Sequence, residues 1–209
     1  MTEGVPPPSD SPDQGIAWHY GDPLREQRWL TEGSGVVDLG NRGLLRVAGP
    51  DRLTWLHALT TQHVERLGAH ESSTALILNP QGHVEYELHL VDDGSATWII
   101  CQPGQAGPLQ GYLESMRFML RVEVINEQED YAVLWSARPL SELAWSVPLG
   151  FGDRGYRGYE SILTRESAEQ ALAAAEHRCG SWALEALRVA AGMPRIGQET
   201  DYRTIPNEV

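Results

Sequence analysis

His83, Glu85, Glu87 and His89 occupy alternate positions of one stretch. In an extended chain alternate side chains share a face, so two imidazoles and two carboxylates point one way. Val84, Tyr86, Leu88 and Leu90 then point the other way. Such a row could face a ligand, or its neighbouring pairs could hold an ion. Its two ends lie roughly 20 Å apart at ~3.3 Å per residue, too far to share one metal. The pattern reads first as a solvated sheet face over an apolar one, and no metal site is assigned. Glu160 shares its strand face with Ile162, which implies partial burial. A buried carboxylate needs donors, and a flat heterocycle with adjacent N–H groups would supply two at once. A strand-end glutamate facing water is the equal alternative. Arg188 follows Leu184 by four residues at the edge of an apolar stripe, where it could meet an anion. Glu185, three residues before it, offers the plainer partner, and an ordinary helix ion pair is the favoured reading.

Other chemistry is excluded. All 16 basic residues are arginine, so there is no P-loop lysine and no Schiff-base lysine. The glycines at 33, 35, 150, 152, 155 and 158 do not form the dinucleotide fingerprint, and Glu32-Gly33-Ser34-Gly35 is not a nucleophile elbow. Cys101 sits in a core-like strand and Cys179 at a helix end. Neither belongs to a disulfide framework, which fits a reducing cytoplasm. The net charge of −13 argues against nucleic acid and anionic membrane as partners.

Residues 1–15, rich in proline and serine, read as a flexible tail. Asp22-Pro23 opens a helix that stops near Gly33. Short strands follow at 36–39 and 44–47, then a helix after Gly49-Pro50-Asp51 with Leu53, Leu56 and Leu59 at helical spacing. Strands at 74–78, 83–91 and 96–101 form a meander, with Asn79-Pro80-Gln81-Gly82 as its first turn. A helix is expected over 109–120, an extended segment over 121–125, and strands over 131–135 and 159–163. Helices over 166–178 and 181–191 end the pattern, the second capped by Ser181. The mixture without strict alternation predicts an α+β fold.

These segments resemble a known family. Asp38-Leu39-Gly40, Val47-Ala48-Gly49-Pro50-Asp51 and Leu59-Thr60-Thr61-Gln62 resemble the opening of the T-protein of the glycine cleavage system, an aminomethyltransferase. Asn79-Pro80-Gln81-Gly82-His83-Val84 resembles its N-x-Q-G turn, and Gly155-Tyr156-Arg157-Gly158-Tyr159-Glu160 its G-Y-x-G…G-[FY]-E segment. Leu187-Arg188-Val189-Ala190-Ala191-Gly192-Met193-Pro194-Arg195 with Thr204-Ile205-Pro206-Asn207-Glu208 resembles its R-x-E-A-G-x-P-R…T-x-P-x-E block. The order and spacing are most similar to the YgfZ branch.

The resemblance implies a T-protein-like folate-binding fold over 16–209, made of two interleaved α+β subdomains. A strand-rich part, about 50–128, is inserted between 16–49 and 129–209, and the family's C-terminal barrel is absent. It implies tetrahydrofolate or a related reduced folate as cofactor, in a cleft between the strand-rich middle and the C-terminal helices. Glu160 would hold the pterin, Arg188 would be a charge partner, and Thr61, Gln62 and Tyr86 would lie near the pocket. Where the methyl-transferring members carry two aspartates this chain has Tyr86 and Glu87, so Glu87 is the one candidate for a catalytic carboxylate. The chain also stops before the branch's K-G-C-Y-x-G-Q-E signature, as a fragment or truncated member would. The implied function is a cytoplasmic folate-binding accessory protein supporting iron–sulfur cluster assembly or repair, with iron–sulfur client proteins as partners. A tetrahydrofolate-dependent one-carbon transferase and a non-catalytic acidic interaction module are the alternatives.

Overall fold

The computed structural model describes residues 3–148 and 157–208; the glycine-rich stretch 149–156, which includes Gly155 and Tyr156 of the quoted segment, lies outside the described residues. The fold is α+β, and the described residues form five α-helices and two five-stranded sheets. Two compact units interleave along the chain: Met1–Arg42 with Asp130–Met193, and Gly43–Glu129 with Pro194–Val209. The second unit thus begins earlier than the expected 50 and takes in the C-terminal segment that was expected in the first. The cause is pairing. β2 (Gly43–Ala48) bonds to β5 (Ala96–Cys101) and β6 (Glu123–Asn126), and the Val84 N–H donates to the Thr204 carbonyl.

In the first unit the sheet order is β10-β1-β7-β9-β8, from β1 (Gly35–Asp38), β7 (Tyr131–Ser136), β8 (Ala144–Ser146), β9 (Tyr159–Thr164) and β10 (His177–Cys179). α1 (Pro23–Glu32) starts as its residues dictate: the Asp22 carboxylate accepts from the Arg25 N–H at 3.0 Å, and Pro23 fills a position whose N–H has no helical partner. It ends at Gly33, φ 81°, where the Gly33 and Ser34 N–H groups reach back to the Leu30 and Trp29 carbonyls.

α4 spans Arg165–Ala174, shorter than the predicted 166–178, because residues 177–179 pair as a parallel strand with β1 instead. His177 is held there by the Trp29 indole, stacked at 3.9 Å. α5 (Ser181–Ala190) is capped by Gly180, not Ser181. The Ser181 N–H is taken by the Ala17 carbonyl, and a Cβ on Gly180 would lie 2.2 Å from the Trp18 carbonyl oxygen. The expected flexible tail is also packed. Val5 exchanges backbone hydrogen bonds with Trp18 and His19 at 2.7 and 2.8 Å, while Pro7 and Asp13 are buried.

The second unit has sheet order β3-β4-β5-β2-β6, with β3 at Ser72–Leu78 and β4 at Val84–Asp92. The turn between β3 and β4 forms as its composition implies: the Asn79 side chain accepts from the Gln81 and His83 N–H groups at 3.0 Å, and Gly82 takes φ 84°. α2 (Arg52–Leu59) buries Trp55 and Leu56. α3 covers Ala106–Ser115 and ends earlier than expected; the Ser115 hydroxyl turns back to the Tyr112 carbonyl at 2.6 Å, and the chain then reverses through Met119 at φ 54°. Leu45, Val47, Ile77, Leu88, Leu90 and Ile99 line the sheet face of this core, closed by Leu109 and Leu113 of α3. Among the described residues, no helix is long and apolar enough to cross a membrane.

Candidate functional site

In the first unit Glu160 stands on β9 between two neighbours, paired in register with Trp135 of β7 and Trp145 of β8. Both indoles are fully buried and the glutamate is 1% exposed, so it does not face water. An Arg42 Nη2 lies 3.9 Å from its Oε1, close enough for charge attraction and longer than a hydrogen bond. Gly158, two residues earlier, has no room for a side chain, since a Cβ there would lie 2.3 Å from the Trp135 ring. The glycine is therefore set by the indole that flanks the carboxylate. Arg42 went unnoticed in the sequence because it falls in a turn between strands, where arginine is commonplace. Trp135 was readable as a strand residue, but its pairing with Glu160 is a matter of register.

Arg188 is buried at 6%, yet it forms the pair its spacing suggests. Its Nε and Nη2 donate to the Glu185 carboxylate at 3.0 and 2.8 Å, and its Nη1 donates to the Met193 carbonyl. The carbonyl lies just past α5, so this arginine also closes that helix end.

The remaining predicted residues belong to the second unit. Thr61 fastens the end of α2 to β3: its N–H donates to the Leu76 carbonyl at 2.9 Å and its hydroxyl accepts from the Leu76 N–H at 3.1 Å. Gln62 is exposed. Tyr86 and Glu87 are not brought to one side. Tyr86 packs on the core beneath α3, with its ring 6.2 Å from that of Tyr112, and burial followed by the nearby Glu85 raises its hydroxyl pKa. Glu87 takes the opposite face, 3.8 Å from His89 Nε2. That face is solvated as expected only in its first half, where Glu85 is exposed. Glu87 is half-buried and His89 and Val91 are buried, because the second half of β4 is a central strand between β3 and β5, with Thr74 and Ile100 beside His89. Among the described residues no three potential metal ligands gather. The same unit buries Arg195, whose Nε donates to Gln102 at 2.8 Å; the sequence offered only its place in a quoted block as a signal.

No family model matches the chain. Curated relatives include the aminomethyltransferase of Bordetella avium, 26% identical over 228 residues, covering 90% of this chain and 60% of the relative. That of Nitrosococcus oceani is 26% identical over 226 residues, covering 91% and 59%. Among solved structures, the glycine cleavage system aminomethyltransferase T from Bartonella henselae superposes with a TM-score of 0.75 at 19% identity, over 91% of this chain and 60% of that one. The chain shares the fold of aminomethyltransferase T. It spans about 60% of the length of the curated relatives it matches.

Proposed function

We propose that this chain is a folate-binding protein of the aminomethyltransferase T fold and that Glu160 holds the pterin ring of a reduced folate. The observation that carries this is a carboxylate at 1% exposure between two buried indoles, with Arg42 at 3.9 Å as an ion-pair partner. A pterin edge presents adjacent N–H donors that a carboxylate accepts in parallel. Arg188 then acts through α5, as a positioning residue for the Met193 turn.

The use made of the folate is proposed as an accessory role toward iron–sulfur client proteins. The Tyr86-Glu87 dipeptide carries one carboxylate where the methyl-transferring members carry two, and Tyr86 packs on the core. One-carbon transfer is the second reading, favoured by the names of the curated relatives and by a half-buried Glu87 beside His89. Calorimetry with tetrahydrofolate tests the proposal. Wild type binds, and Glu160→Gln binds at least about tenfold more weakly, the loss of one charge-assisted hydrogen bond. Equal affinity in a folded Glu160→Gln protein overturns the role of Glu160, and no heat with wild type overturns folate binding. Formation of methylene-tetrahydrofolate, lost in Glu87→Gln, separates the transferase from the accessory role.

A further inference from the structure

The first unit contains a cavity of about 500 Å³ on the side of its sheet opposite Glu160. The registers fix the side: Arg178 pairs with Val36, whereas the next row is Cys179, Val37, Trp135 and Glu160. The lining is mainly polar, from Glu3, Gln14, Tyr20 and Arg178, with Pro6 and Ala17 beside them and Pro7 and Ile16 buried behind. Arg178 donates its Nε to the Leu172 carbonyl at 2.7 Å, in the last turn of α4. Among the described residues its two Nη nitrogens have no hydrogen-bond or ion-pair partner, and neither does the Tyr20 hydroxyl. Burial raises the Tyr20 pKa, with Asp38 adding to the rise, so the phenol stays a donor at neutral pH. The Gln14 amide also lines the cavity but already donates to the Pro8 and Ser11 carbonyls.

We infer that this cavity is a binding site for a small monocarboxylate, whose two oxygens take the Arg178 Nη fork and the Tyr20 hydroxyl. A guanidinium fork matches a planar carboxylate bidentately, and the tyrosine hydroxyl adds a neutral donor. One negative charge is the limit. Asp38, outside the cavity lining, feels the charge of Arg165 first and Arg178 second, and Glu3 stands exposed on the lining. A dianion such as phosphate would leave its second charge in a cavity whose remaining charged lining residue is the Glu3 carboxylate.

The probe is butyrate, titrated into the full chain and followed by ligand-observed NMR, with butylamine and inorganic phosphate as controls. Saturable butyrate binding is expected, weakened at least about tenfold by Arg178→Gln and about threefold or more by Tyr20→Phe. Neither control should displace it. If Arg178→Gln fails to fold without its bond to Leu172, Tyr20→Phe decides, because it removes one hydroxyl that holds no protein partner. Absence of saturable butyrate binding, equal binding by Tyr20→Phe, or displacement by phosphate overturns the inference. Folate titration reads Glu160 on the other face, so the two outcomes are independent.

Discussion

Burial pushes the Cys179 thiol up to about 12, and the nearby Glu26 carboxylate adds to the rise. Its Sγ lies against the Glu26 carbonyl, and Glu26 itself accepts from the Tyr20 and Gly180 N–H groups at 2.7 and 2.8 Å. The thiol is thus part of a buried lock between α1 and the start of α5. A thiol this far above its ordinary value has almost no thiolate at neutral pH and reacts slowly. Cys101 is buried as well. Neither cysteine should label in the native protein at neutral pH, and both should label in denaturant. Fast native labelling of either would show the burial argument to be wrong. The sign for stability follows from the raised value. The protonated thiol contributes fully below its unfolded value of about 8.5, and the contribution is lost as pH climbs toward 12. Urea unfolding of Cys179→Ala should therefore show a flatter alkaline limb than wild type.

At the scale of elements, a bidentate ion pair in the second unit joins the first residue of α2 to the last of β4. Arg52 donates Nε and Nη2 to the Asp92 carboxylate at 2.9 and 2.8 Å, while the Thr97 hydroxyl and the Gly94 N–H complete it. Asp92 is 1% exposed. Removing the cation leaves a buried carboxylate short of its charge partner, which costs about 3–5 kcal/mol in such settings. Arg52→Ala should fall at the low end, because Thr97 and Gly94 still donate. Urea denaturation measures it, and a loss near zero would mean the pair is incidental. In the first unit, Asp22→Ala removes the cap of α1 and should cost about 1 kcal/mol by the same measurement.

For the whole molecule, acid is the informative stress. The chain carries 29 acidic residues against 16 arginines and 7 histidines, so protonation turns a net −13 into a large positive charge. Asp93 at the β4–β5 turn resists protonation. Burial would raise its carboxyl, but hydrogen bonds from Trp98, Ala96 and Ser95 outweigh this and hold it at about 2. Its contribution is present above the ordinary value of about 3.9 and disappears as pH falls through 2. The group is only partly buried, so solvent screening keeps the effect modest. Asp93→Asn should lower stability at neutral pH and leave less to lose between pH 4 and 2, seen as a shallower acid limb in thermal melts. An unchanged limb would place the acid sensitivity elsewhere.

What the sequence alone determined is local or periodic. Asp22-Pro23 and Gly33 bounded α1 because cap chemistry acts within one turn. The Asn79 to Gly82 turn was legible because an asparagine side chain bonds its own backbone neighbours. Alternation placed Tyr86 and Glu87 on opposite faces before any partner strand was known. Only the tertiary structure decided the rest. Residues 177–179 left the helix because β1 offered a free edge and Trp29 a stacking face, neither of which is near in sequence. Gly180 displaced Ser181 as the cap because the Trp18 carbonyl occupies the space a side chain would need. Burial of Glu160 between Trp135 and Trp145, with Arg42 beside it, depends on strand register and on a turn residue more than a hundred positions away. Periodicity carries a side chain's face but not its neighbours, so the candidate carboxylate was visible in the sequence and its setting was not.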